Sequence, residues 1–142
     1  MFAGGTGPSA EAGADSVPAV TLPPAEMDLW GLGAGLYADG SDADRQVQLD
    51  ALRAWVGKNL IRVVATGGDG APSCTYPAER REGLSRVLMS LIRNDGDALV
   101  MMGDSFARLT VTDQGWLLGK VREFEMRLIS VDDKGGTRYE SD

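Results

Sequence analysis

The chain contains no histidine. That removes the usual general base near neutral pH, the commonest metal ligand and every Ser–His or Cys–His nucleophile pair. There is one cysteine, Cys74. A lone cysteine excludes an intrachain disulfide and fits a reducing compartment, and with no histidine to activate it the thiol reads as a neutral loop residue. No apolar run approaches the roughly 18 residues that would suggest a membrane span. The opening residues, Met1-Phe2-Ala3-Gly4-Gly5, lack the basic region and apolar stretch of a secretory leader. The expected location is the cytoplasm, or a virion if the gene belongs to a phage. Positive charge is also in short supply: the formal net charge is −7. Such a balance repels phosphates and argues against a nucleic-acid partner.

What remains is enough for one domain. The 142 residues are 43% hydrophobic and 25% charged, close to a globular average, so most of the chain should fold. Residues 1–26 differ from the rest. They hold four of the six prolines, three acids and no basic residue, and lack both helical and strand periodicity. They read as a flexible arm, disordered alone and ordered on a partner, ahead of a single domain at 27–142.

Residues 27–37 carry Leu29, Leu32 and Leu36 at helical spacing, but Gly31, Gly33 and Gly35 weaken any helix. An irregular apolar strap is expected. Asp39-Gly40 breaks the chain, and Ser41, with Asp44 three residues on, caps a helix running to about residue 58. A β-branched strand at 60–66 follows, then a second helix from about Pro77 to Arg93 with apolar residues at 84, 87, 88, 91 and 92. From residue 98 the chain reads as a meander. Strands are expected at 98–102, 105–112 and 116–131, with Gly103-Asp104 as a hairpin turn and 137–140 as an edge strand. The expected fold is therefore α+β, an antiparallel meander sheet with two helices packed on one face, preceded by the flexible N-terminal arm.

Candidate sites are few. Gly67, Gly68 and Gly70 leave a strand and lead towards a helix whose early turns carry Arg80 and Arg81, which suits an anion. No Gly-Lys-Ser/Thr follows, so an ordinary loop competes with that reading. Gly31, Gly33 and Gly35 lack the spacing and the preceding strand of a dinucleotide fingerprint. Glu123 and Glu125, taken as i, i+2 on a strand, share a face at roughly 7 Å, but alternating charge on a wet face accounts for them. Asp39, Asp42 and Asp44 resemble part of a calcium loop without its glycine or terminal glutamate, so capping accounts for them. Leu29, Trp30, Leu32, Leu36, Trp116 and Tyr139 are the candidate partner-binding residues.

No catalytic, metal or cofactor set emerges. The expected function is a non-catalytic protein-binding or assembly component, such as a small phage or bacterial accessory structural protein, with a protein partner or a homo-oligomer as its contact. The alternatives are a regulator, chaperone or inhibitor of one protein target, and a small phosphate- or nucleotide-binding domain. The expectation is of a protein that is not an enzyme.

Overall fold

Glycine at alternate positions does not break residues 33–39. In the computed structural model, which describes residues 31–140, Gly33–Asp39 is a regular strand, β1, buried along its whole length. The glycines serve close packing. A Cβ on Gly35 would lie 2.8 Å from both Leu91 and Val87, and one on Gly67 would lie 2.9 Å from Val87. Side chains there would push the covering helix off the sheet.

The elements then alternate. Helix α1 spans Asp42–Lys58, β2 Arg62–Asp69, α2 Glu82–Arg93, β3 Ala98–Met102, α3 Gly103–Arg108, α4 Val111–Glu123, β4 Arg127–Val131 and β5 Thr137–Glu140. The sheet order is β2-β1-β3-β4-β5. β1 pairs in parallel with β2 and β3, β3 pairs in parallel with β4, and only β5 is antiparallel. Alternation of strand and helix is what a parallel sheet needs, because each parallel return requires a crossover.

The two faces have separate cores. Leu52, Trp55 and Val56 of α1 cover Leu36, Val100 and Ile129 on one face. On the other, α2 and α4 pack Leu84, Val87, Leu91, Leu117 and Val121 against Leu99, Met101 and Leu128.

This corrects the expected fold. The sheet is mixed and mostly parallel, not an antiparallel meander, and helices cover both faces. Gly103-Asp104 opens a helix rather than a hairpin. The stretch read as two strands, 105–112 and 116–131, is largely helical, and only Arg127–Val131 extends. Thr110 is the cap of α4, its hydroxyl accepting from the Asp113 N–H at 3.0 Å. Glu125 has φ of 59°, just beyond α4, so Glu123 and Glu125 do not lie on one strand. The second helix begins later than expected. Ala78–Arg80 is a separate 3₁₀ turn, and Arg81 is extended between the two. The first helix, the strand at 98–102 and the edge strand match their expected places, and Ser41 caps α1 by accepting from the Asp44 N–H at 3.1 Å.

Candidate functional site

In an open parallel sheet, a crevice forms outside the carboxyl ends of the strands where successive crossovers leave in opposite directions. With this strand order, the crevice lies between β1 and β3. The chain leaves β1 as Asp39-Gly40-Ser41 and leaves β3 as Gly103-Asp104-Ser105. Four connected groups meet there: a carboxylate, two guanidiniums and a serine hydroxyl.

Asp39 is the centre. Its carboxylate accepts from Arg108 Nη2 on Oδ1 at 2.9 Å and from Arg81 Nη1 on Oδ2 at 3.3 Å. Its backbone is pinned by Gln48. The Asp39 N–H donates to Gln48 Oε1 at 3.0 Å, and Gln48 Nε2 donates to the Asp39 carbonyl at 2.7 Å. Gln48 Oε1 also accepts from the Ser105 hydroxyl at 3.0 Å, and Ser105 Oγ accepts from Arg108 Nη2 at 3.3 Å. Ser105 is buried, whereas Ser41 stands exposed at the first turn of α1.

A second carboxylate, Asp69, ends β2 beside Asp39. It accepts from the Gly83 and Leu84 N–H groups at 2.8 and 2.9 Å, and so caps α2 from outside that helix. It also accepts from Tyr37 Oη at 2.9 Å and Ser73 Oγ at 3.0 Å. Burial alone would raise its pKa. The Gly83, Tyr37, Leu84 and Ser73 donors outweigh that and hold it below the usual carboxylate value. Tyr37 shifts the other way. Burial, with the neighbouring Asp69 charge, pushes its phenol well above 10 against the opposing pull of Arg81. Burial likewise opposes charge on Arg81, but the Tyr37 oxygen and the Asp39 carboxylate keep the guanidinium ionised.

The residues singled out from sequence are scattered around this site. Gly67 and Gly68 lie within β2, Gly70 follows it, and Arg80 is exposed on the 3₁₀ turn. The amides at the start of α2 are already taken by Asp69, so the loop presents no empty cradle to an anion. Arg81 alone of that set enters the cluster. Leu29 and Trp30 lie outside the described residues, as does the arm at 1–26. Leu36 is fully buried in β1, and Leu32 packs half-buried beside it. Trp116 and Tyr139 are half-buried, the first under Lys120 and the second under Arg127. Tyr37, Asp39, Gln48, Asp69, Ser105 and Arg108 were missed as a site. The available signal was Asp39-Gly40-Ser41, a strand–turn–helix junction.

No family model matches the sequence, and no curated protein matches it. Solved structures do. One is the N-terminal catalytic domain of TP901-1 integrase, at 20% identity and a TM-score of 0.58, covering 69% of this chain and 75% of that one. Another is the C-terminal catalytic domain of ISC1926 TnpA, an IS607-like serine recombinase, at 18% identity and a TM-score of 0.57. It covers 70% of this chain and 69% of that chain. At these identities the likeness is one of fold. Both neighbours are catalytic domains, a finding that stands against the expectation of a non-enzymatic assembly or structural protein. It also removes the ground for setting nucleic acid aside, because net charge says nothing about a local cluster of arginines.

Proposed function

We propose that the chain is a serine-recombinase-type catalytic domain that cuts and rejoins DNA through Ser41. The observation that carries this reading is the exposed serine at the β1–β3 crevice, at the positive end of α1 and two residues after a carboxylate holding two arginines. Support comes from two solved neighbours, both catalytic domains, one of them from a serine recombinase. Recombination is chemistry on DNA phosphodiesters, and phosphoryl transfer asks little covalent work of a protein beyond positioning and charge stabilisation. The missing histidine is therefore no obstacle.

The step balances simply. Ser41 Oγ forms a bond to phosphorus as one phosphorus–oxygen bond to deoxyribose breaks. The serine proton passes to solvent, and the departing sugar oxygen takes one up, leaving a phosphoserine diester and a free sugar hydroxyl. Reversal rejoins the strand with no external energy source. Arg108, reaching from α3, and Arg81 behind it supply positive charge to the phosphate in the transition state. The helix dipole favours a partly ionised Ser41 oxygen. Ser105 fits a positioning role, since its hydroxyl is buried and committed to Gln48.

The test uses plasmid DNA, quenched in detergent and scored for protein covalently attached to DNA. The wild-type chain should form the adduct. Ser41→Asn, which retains the helix cap, should form none, and Ser105→Ala should still form it. An adduct that survives Ser41→Asn, or no adduct from any form of the protein, overturns the assignment.

A further inference from the structure

The arginine pair is already occupied by a carboxylate of the chain itself. We propose that Asp39 is an internal competitor for the DNA phosphate, and that DNA contact transfers Arg108 from Asp39 to the phosphate. This rests on the reading of the crevice as a DNA phosphodiester site.

The two arginines are held differently. The Arg81 side chain is 7% exposed. It donates to the Tyr76 carbonyl at 3.0 Å, to Tyr37 Oη at 3.2 Å and to Asp39, so it has three fixed partners, two on β1 and one in the loop before α2. The Arg108 side chain is 57% exposed, sits on a helix of six residues and, among the described residues, donates to Asp39 and Ser105. Arg81 is a fixed counter-charge, whereas Arg108 can swing towards solvent. Asp39 cannot follow it, because Gln48 pins the Asp39 backbone at both its N–H and its carbonyl.

Charge points the same way. Asp69 has its own donors at the start of α2, and Tyr37 is neutral, so neither draws on Arg108. What remains is one carboxylate shared between two guanidiniums. An incoming phosphodiester offers Arg108 two charged oxygens, where Asp39 now gives it one. Where it takes Nη2 it displaces Asp39 and Ser105, and it then lies near a carboxylate left with Arg81 as its one counter-charge. The site therefore holds DNA weakly until Arg108 is drawn out, and removing the Asp39 charge should strengthen binding.

The experiment measures fluorescence anisotropy of a labelled DNA duplex with the full chain, repeated with inorganic pyrophosphate as a competing probe. The variants are Asp39→Asn, Arg108→Ala, the double variant, and Asp50→Asn as a control for the same change in net charge at an exposed site. Asp39→Asn should bind duplex about tenfold more tightly, since a nearby like charge is removed. Its affinity should fall more steeply with salt, by about one further unit of slope. The double variant should lose that gain, and Asp50→Asn should match wild type.

Equal affinity of wild type and Asp39→Asn overturns the proposal, as does a gain that persists without Arg108. If Asp39→Asn tightens pyrophosphate binding while no form binds DNA, the competition stands and the DNA reading falls. If Arg108→Ala weakens DNA binding while Asp39→Asn changes nothing, the DNA reading stands and the competition falls. Wild-type protein gives a check that needs no variant. On adding pyrophosphate, the Arg108 side-chain resonance should move and that of Arg81 should not; no movement of Arg108 contradicts the proposal.

Discussion

Asp39 and Asp69 stand side by side in register at the ends of adjacent parallel strands. Both are buried, yet their partners differ in kind. Asp69 faces two backbone amides, a phenol and a serine hydroxyl, all neutral donors fixed by the fold. Asp39 faces two guanidiniums, one fixed and one half in solvent. Neutral, fixed donors make Asp69 a structural tie between β1, β2 and α2. Cationic donors, one of them half in solvent, make Asp39 part of a site that an anion can enter. Position in the fold alone does not separate the two roles; the mobility of the partners does.

Removing each carboxylate in turn and following urea denaturation separates the two roles. Asp69→Ala leaves the Gly83 and Leu84 amides and the Tyr37 phenol without their acceptor, and should cost about 3–5 kcal/mol. Should Asp69→Ala prove nearly neutral, its structural assignment fails.

Tyr37 joins the two halves, touching Asp69 and Arg81, and it predicts an alkaline limit. Its folded pKa lies above the unfolded value of 10, so the unfolded chain releases the proton first. The unfolded state then binds fewer protons, and stability falls as pH rises above about 10, by up to about 1.4 kcal/mol per pH unit. Tyr37→Phe should abolish that component of the decline, seen as a flatter plot of unfolding free energy against pH. An unchanged slope would mean that Tyr37 is not the group responsible.

Smaller effects are expected on the mobile side. Asp39→Asn keeps the shape and hydrogen bonds around Arg81 and should cost only about 1–2 kcal/mol. Arg108→Ala should cost about 0.5 kcal/mol or less, because half-exposed ion pairs contribute little. If Arg108→Ala destabilises as much as Asp69→Ala, Arg108 is a structural residue and the contrast collapses.

Much of the first half of the fold was legible. Ser41 with Asp44 marks the start of α1, and Leu84, Val87, Leu88 and Leu91 mark the buried face of α2. β1 was not, because Gly31, Gly33 and Gly35 look like flexibility until Leu91 and Val87 are seen lying against Gly35. α4 was hidden by Gly115 and Gly119, which have open space around them, and by the run from Glu123 to Leu128 that imitates strand alternation. Thr110 and Asp113 were the overlooked cap. The site was harder still. Asp39, Arg81 and Arg108 are 42 and 69 positions apart when counted from Asp39, and only the crossovers bring them together. The absence of histidine drew attention to missing acid–base machinery, although phosphoryl transfer can run on serine and arginine.

Ser41 is the proposed nucleophile, and its chemical state after reaction with DNA tests that role most directly. The first basic residue in the chain is Arg45, so trypsin releases residues 1–45 as one peptide carrying Ser9, Ser16 and Ser41. After detergent quench, nuclease digestion and trypsin, fragmentation of that peptide by tandem mass spectrometry should place a nucleotide on Ser41. A nucleotide on Ser105 instead, or an unmodified 1–45 peptide from protein shown to have cut DNA, would contradict it.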